Sequence, residues 1–203
     1  MSTATTGIVL AGGWSRRMGQ DKSRLPFGGT TLLTWVVRRV AQACAPVIVV
    51  ARAASDYPDC GARVISDRRP GEGPLAGLAA GLAAAETAYA AVVPCDLPFI
   101  EPALLQGLSA LAPGWDVVVP VVGGRAQPLC AVYSRTIASI AEDMLRRADR
   151  AVHQLVTQPG VRAHQVLEDA LTAWDPGLRT FVNINTPEDY ERARDMLTRS
   201  APA

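Results

Sequence analysis

Several stretches of this sequence are apolar at every position and rich in β-branched side chains: Ile8-Val9-Leu10-Ala11, Val47-Ile48-Val49-Val50 and Ala90-Ala91-Val92-Val93. Successive side chains of a strand point to opposite faces, so a run with no polar alternate has no face to offer to water. Strands of this kind need cover on both sides. The spacing predicts strands over 7–10, 47–51, 63–65, 90–94, 116–121, 129–133 and 180–184. Helical patterns fall between them, over 31–44, 75–86, 101–111, 135–147 and 187–197, with a shorter one near 151–157. Alternation of this sort predicts an α/β fold with a mostly parallel, doubly wound sheet and right-handed crossovers. Helix starts are marked: Thr186-Pro187-Glu188-Asp189 supplies an N-cap, a first-position proline and early acids, and Pro74 does the same for the helix at 75.

At 203 residues and 49% hydrophobic, the chain suits one domain spanning 1–203, with its core over about 6–198. Twenty Lys and Arg against nineteen Asp and Glu leave no global field for nucleic acid or an anionic membrane, so any anion site must be local. No apolar run reaches the length of a membrane span, and the segment 1–6 is short and polar for a targeting peptide. The four cysteines form no CxxC pair and read as buried, reduced thiols of a cytoplasmic protein. His153 and His164 are too isolated to suggest a metal centre.

In an open α/β sheet, ligands bind beyond the carboxyl ends of the strands, near the point where strand order reverses. Four clusters follow strands here. After the first, Gly12-Gly13 leads into Arg16, Arg17, Gly19, Lys22 and Arg24. Glycines let backbone N–H groups approach phosphates that cations then neutralise; a solvated basic loop is the other reading. The spacing is not that of a Walker A loop, since five residues separate Gly13 from Gly19 and Lys22 does not follow Gly19. The GxGxxG fingerprint of dinucleotide enzymes is absent, which disfavours a dehydrogenase. Asp67, followed by Gly71-Glu72-Gly73-Pro74-Leu75-Ala76-Gly77, can meet the amino and imino edge of a purine and offer bare backbone to base or ribose. The same residues also suit a plain turn with tight packing at Gly77 and Gly81. Asp96, in Pro94-Cys95-Asp96-Leu97-Pro98, stands just past a buried strand. That place suits Mg²⁺, which takes one or two carboxylates with phosphate oxygens and water. The competing role, capping the helix near Glu101, would need an acid several residues later. Asn183 and Asn185 fall on one side of the last strand and can bond a polar substrate or a metal's waters, or serve strand-end and cap chemistry. Arg125, in a hairpin-like turn after Gly123-Gly124, can face a second phosphate or be an ordinary surface arginine.

Taken in order, Leu10-Ala11-Gly12-Gly13, Ser15-Arg16-Arg17-Met18-Gly19, Asp21-Lys22, Gly73-Pro74-Leu75-Ala76-Gly77, Pro94-Cys95-Asp96-Leu97-Pro98, Pro128-Leu129-Cys130-Ala131-Val132-Tyr133 and Asn183-Ile184-Asn185-Thr186-Pro187-Glu188-Asp189 span nearly the whole chain. The set resembles the molybdenum cofactor guanylyltransferases, the MobA-type branch of the nucleotidyltransferase superfamily. The resemblance implies a three-layer α/β/α domain with a Rossmann-like sheet, of the nucleotide-diphospho-sugar-transferase kind. It implies transfer of GMP from GTP to the terminal phosphate of molybdopterin-bound molybdenum, with release of pyrophosphate. Leu10, Ala11 and Gly12 would then contact guanine or ribose through their backbone, with Gly13 and Gly77 beside the nucleotide. Lys22 and Arg17 would hold phosphates, Asp67 would bind the nucleotide, Asp96 would ligate Mg²⁺, and Asn183 and Asn185 would face the pterin. Ala11-Gly12-Gly13 and the Asn-Ile-Asn segment match the guanine type rather than the cytidine type. The alternatives are cytidylyl transfer to molybdopterin, guanylyl transfer to another small phosphorylated acceptor, and a non-catalytic GTP sensor. Lys22 and Asp96 favour catalysis over sensing. A monomer that receives its labile cofactor directly from a molybdenum-insertion enzyme is the expected assembly.

Overall fold

The computed structural model describes residues 4–11, 20–57 and 59–200. The chain runs through β1 (Thr5–Leu10), β2 (Pro26–Phe27), β3 (Thr30–Thr31), α1 (Leu32–Val40), β4 (Val47–Ala51), β5 (Arg63–Ser66), α2 (Pro74–Ala84), β6 (Tyr89–Pro94) and α3 (Pro102–Leu111). It continues through β7 (Val117–Val122), β8 (Arg125–Ala126), β9 (Ala131–Ser134), α4 (Ile137–Arg146), α5 (Val152–Leu155), β10 (Ala163–Val166), α6 (Glu168–Leu171) and α7 (Pro187–Ser200). The main sheet has the order β10-β7-β9-β6-β1-β4-β5, with β8 added to β7. Strand β1 pairs parallel with β4 and β6, β4 with β5, and β7 with β10. Only β9 reverses within the main run, antiparallel to both β6 and β7, so the sheet is mostly parallel as expected.

Alternation along the apolar strands divides the side chains between two cores. Val9, Val49, Ala91 and Val93 face the layer of α1 and α3, together with Val36, Val37, Leu104 and Leu105. Ile8, Val50, Ala90 and Val92 face the layer of α2 and α4, with Leu78, Leu82, Ala141 and Met144. Each fully buried Val, Leu or Ile contributes about 1.5–3 kcal/mol of apolar transfer energy, and both layers are needed to collect it. This is the physical reason the unbroken apolar runs read as a doubly covered sheet. The four cysteines are buried free thiols.

The helix-start signals act as expected. Pro74 occupies the first turn of α2, and Pro102, not singled out from the sequence, does the same in α3. At α7, Thr186 Oγ1 accepts the Asp189 N–H at 3.2 Å, while Asp189 Oδ2 accepts the Thr186 N–H at 3.0 Å. This reciprocal box satisfies two donors at once. Gly123 and Gly124, at φ 57° and 70°, close the β7–β8 hairpin in the left-handed region that a two-residue loop requires.

The strand expected over 180–184 does not form. Arg179–Phe181 is a 3-10 turn and 182–185 is irregular. The carboxylate of Asp175, 2% exposed, takes the backbone N–H of Arg179 at 3.0 Å and of Thr180 at 2.8 Å. Leu178 turns the chain at φ 48°. Local side-chain bonds thus claim the donors that a ladder would need. Ile184 donates its N–H to the carbonyl of Asp96, two residues past the end of β6, at 3.0 Å. The alternation argument that set Asn183 and Asn185 on one face therefore fails. Conversely, β10 and α6 lie where no element was expected. Ala163-His164-Gln165-Val166 is half polar and offers no apolar run, and its pairing with β7 at the sheet edge is a tertiary event.

Candidate active site

From β1 the chain crosses to β4 on one side, and after β5 it returns through α2 to β6 on the other. The two crossovers diverge at the carboxyl end of β1, where Leu10 stands between Val50 and Pro94. The Leu10 carbonyl accepts the Cys95 N–H at 3.0 Å, and the Ala11 N–H donates to the Val50 carbonyl at 2.8 Å. These bonds tie together the three strand ends that form the floor of the crevice. Burial pushes the Cys95 thiol up to about 11, so this floor is uncharged at neutral pH.

Two charged side chains, 74 positions apart in sequence, meet at that point. Lys22 Nζ lies 2.6 Å from Asp96 Oδ2 and donates to the Ile184 carbonyl at 3.3 Å. Their side chains are only 15% and 19% exposed, so the pair is shielded from water and its attraction is stronger than at a surface. Lys22 opens a short 3-10 turn over Lys22–Arg24, capped by Asp21, whose Oδ1 accepts the Ser23 N–H at 3.0 Å. Tyr57 donates its hydroxyl to Asp21 Oδ2 at 2.7 Å, and burial raises the Tyr57 pKa further out of the physiological range. The lysine thus projects from a turn fastened at both ends. Ile184 donates to Asp96 and accepts from Lys22, which fastens the 183–185 segment to the same pair.

Two cavities adjoin here. The first, about 310 Å³, has Leu10, Val50 and Pro94 as floor, Asp67, Gly71, Gly73 and Gly77 along one rim, and Lys22 and Asp96 opposite. The second, about 410 Å³, adds Gln127, His153, Phe181 and Asn183. Pro74, Pro94, Asp96 and Leu129 line both, so Asp96 stands at the junction. Burial pushes the Asp67 carboxyl above the usual carboxylate range, against the Arg69 N–H that it accepts at 2.8 Å.

Of the residues named from sequence, Leu10, Lys22, Asp67, Gly77 and Asp96 line the first cavity and Asn183 the second. Ala11 is buried beneath the crevice. Asn185 lines neither; its N–H donates to Asp189 Oδ2 at 3.1 Å, which is cap chemistry. Arg125 is exposed on β8 and lines neither. Gly12, Gly13 and Arg17 lie outside the described residues. Sequence reasoning missed Gln127, His153 and Phe181, since no motif joins residues that only the fold assembles.

Among the described residues no three His, Cys, Asp or Glu side chains cluster as a self-sufficient metal site. Magnesium keeps several waters and takes one or two carboxylates plus substrate phosphate oxygens. The lone carboxylate of Asp96, beside a cavity with a cationic wall, fits such an ion together with a polyphosphate. Among the described residues no helix is long and apolar enough to cross a membrane.

A sheet of this order, with a cavity at its switch point faced by a lysine and a carboxylate, is the architecture of a nucleotide-dependent transferase. The chain belongs to the family of MobA-like NTP transferase domains, whose pattern matches residues 7–166. It is 38% identical over 195 residues to a probable molybdenum cofactor guanylyltransferase of Pelotomaculum thermopropionicum, covering 96% of this chain and 94% of that one. Among solved structures it is similar to molybdopterin-guanine dinucleotide biosynthesis protein A of Archaeoglobus fulgidus, at 26% identity and a TM-score of 0.83 over 96% of this chain and 100% of that one. It also shares the fold of Rv0371c of Mycobacterium tuberculosis, solved in complex with manganese, at 20% identity and a TM-score of 0.69 over 95% and 99% of the two chains.

Proposed function

We propose that this nucleotidyltransferase moves GMP from GTP to the terminal phosphate of molybdopterin-bound molybdenum, forming the guanine dinucleotide cofactor and pyrophosphate. The observation that carries the reading is the shielded Lys22–Asp96 pair at the junction of two cavities. The name of the Pelotomaculum relative supports the choice of nucleotide and acceptor.

GTP would lie in the first cavity, its base or ribose against Leu10 and the glycine rim, with Asp67 as hydrogen-bond acceptor. The acceptor would occupy the second cavity, which is lined by Phe181, Gln127 and Asn183. A phosphate monoester is already a nucleophile at neutral pH, so no general base is required. Its oxygen attacks the α-phosphorus in line, a new P–O bond forms, and the bond to the β-phosphate oxygen breaks, with pyrophosphate taking the electron pair. The protein's contribution is placement and charge. Lys22 would turn from Asp96 toward the phosphates and stabilise the charge that builds on them, with Arg17 as a second cation. Asp96 would hold Mg²⁺, which when bound supplies charge neutralisation to the phosphate oxygens. The protein would act as a monomer in the cytoplasm and receive its acceptor from a molybdenum-insertion enzyme.

The test is pyrophosphate release with Mg²⁺ and molybdopterin-bound molybdenum, run with GTP and CTP in parallel. Release with GTP alone is expected. Release with CTP alone would keep the chemistry and overturn the base assignment. Tight GTP binding without release would replace catalysis with sensing or name the wrong acceptor.

A further inference from the structure

The rim of the first cavity, residues 67–73, contains no buried side chain. Gly71 and Gly73 stand at φ 92° and 89° with open space where a Cβ would project. No apolar anchor holds this segment, so polar contacts must. Within the loop, Asp67 Oδ1 accepts the Arg69 N–H, and the Glu72 N–H donates to the Arg69 carbonyl at 3.1 Å. The Arg69 guanidinium reaches Glu72 within the loop at 3.8 Å and, outside it, Glu142 on α4 at 3.5 Å. Arg150, from the segment between α4 and α5, reaches Glu72 at 3.8 Å. Glu72 Oε2 is closed off from solvent without a hydrogen bond, so its charge is answered by these guanidinium groups. Two and three positions beyond Arg150, Val152 and His153 line the second cavity. One ionic cluster therefore joins the rim of one cavity to the wall of the other.

We propose that Arg69, Glu72 and Arg150 are positioning residues that couple occupancy of the nucleotide cavity to the shape of the acceptor cavity, an inference that rests on the assignment of the two cavities made above. A glycine-rich rim samples many conformations, and the ion pairs select one. A nucleotide seated on the rim excludes water from the cluster and strengthens it. Through Arg150 this fixes the start of α5 and hence the acceptor wall. By linkage, the acceptor tightens the nucleotide by the same factor.

The test compares Glu72→Gln, Arg150→Gln, their double variant and Arg150→Lys with the wild type. GTP affinity is read by titration calorimetry, and steady-state constants are read with molybdopterin-bound molybdenum as acceptor. Each single Gln variant is expected to raise the KM for GTP and the KM for the acceptor roughly three- to tenfold, with kcat within about twofold of wild type. The double variant should be no worse than the worse single one, because both break the same contact. Arg150→Lys, which keeps the charge, should recover most of the loss. Thermal melts identify any variant that fails through unfolding; the Arg150 side chain is half exposed, so Arg150→Gln, with Arg150→Lys as its charge-keeping control, still reads the coupling. Unchanged KM values, additive losses, or a GTP effect with no acceptor effect would overturn the coupling. Wild-type protein without affinity for GTP would overturn the cavity assignment itself, and the coupling with it.

Discussion

Two glycines of α2, one turn apart, should respond to the same substitution with opposite signs. A Cβ on Gly81 would stand 2.6 Å from Ile8 Cγ2 and 3.2 Å from both Ile8 Cδ1 and Val50 Cγ2. Ile8 is fully buried in β1 and Val50 is 2% exposed in β4, so neither has room to withdraw. Overpacking of a closed core costs about 1–3 kcal/mol, and two fixed neighbours put this site in the upper part of that range. The gain in helix propensity from Gly to Ala offsets about 1 kcal/mol. Gly81→Ala should therefore destabilise by about 1–2 kcal/mol, a fall in Tm of about 2–8 °C for a chain of this size. At Gly77 the same methyl would meet Leu10 Cδ2 at 3.4 Å and Val50 Cγ1 at 3.8 Å, ordinary contact distances. There the propensity gain prevails, and Gly77→Ala should raise Tm by about 2–4 °C. It should also weaken GTP binding, because the methyl enters the first cavity. Calorimetric melts of the two variants beside wild type decide the matter. A Gly81→Ala protein as stable as wild type, or shifts of the same sign at both sites, would refute the packing argument for how α2 seats on the sheet.

Lys22→Ala and Asp96→Ala should each lower turnover by about 10²-fold or more, the scale of a lost electrostatic donor, and near-wild-type turnover in either would remove that residue from the mechanism. Asp67→Asn should raise Tm at neutral pH. Burial lifts the Asp67 carboxyl above its ordinary 3.8, so the folded chain binds that proton more tightly than the unfolded one, and stability falls as pH rises from 3.8 through the folded value. The advantage of Asn should therefore vanish in melts taken below that interval, and an advantage independent of pH would contradict the assignment. Asp189→Ala should cost about 0.5–2 kcal/mol in urea unfolding, because Asp189 Oδ2 caps the N–H groups of Asn185 and Thr186. It should also raise the acceptor KM by loosening the segment that carries Asn183, and an unchanged KM would detach α7's cap from the site.

The sequence alone determined the layers and their order of construction. Runs such as Val47-Ile48-Val49-Val50 exclude a wet face whatever their neighbours, and Thr186-Pro187-Glu188-Asp189 starts a helix through bonds made within four residues. Such signals are local, and local physics suffices to read them. The residues Lys22, Asp67 and Asp96 were legible for a related reason: Asp67 and Asp96 stand one and two positions past the ends of β5 and β6, Lys22 belongs to the basic run that follows β1 in the sequence, and strand ends converge on one edge of a parallel sheet. What only the tertiary structure decided depends on contacts far apart in the chain. The 180–184 segment looks like a strand until Asp175 takes the N–H groups of Arg179 and Thr180. The polar β10 becomes a strand because β7 lies beside it. The Lys22–Asp96–Ile184 junction unites three segments across 162 positions, and Gln127, His153 and Phe181 share a cavity through no pattern of spacing. A side chain's chemistry is written at its own position, but its partner is chosen by which strands and loops the core brings together.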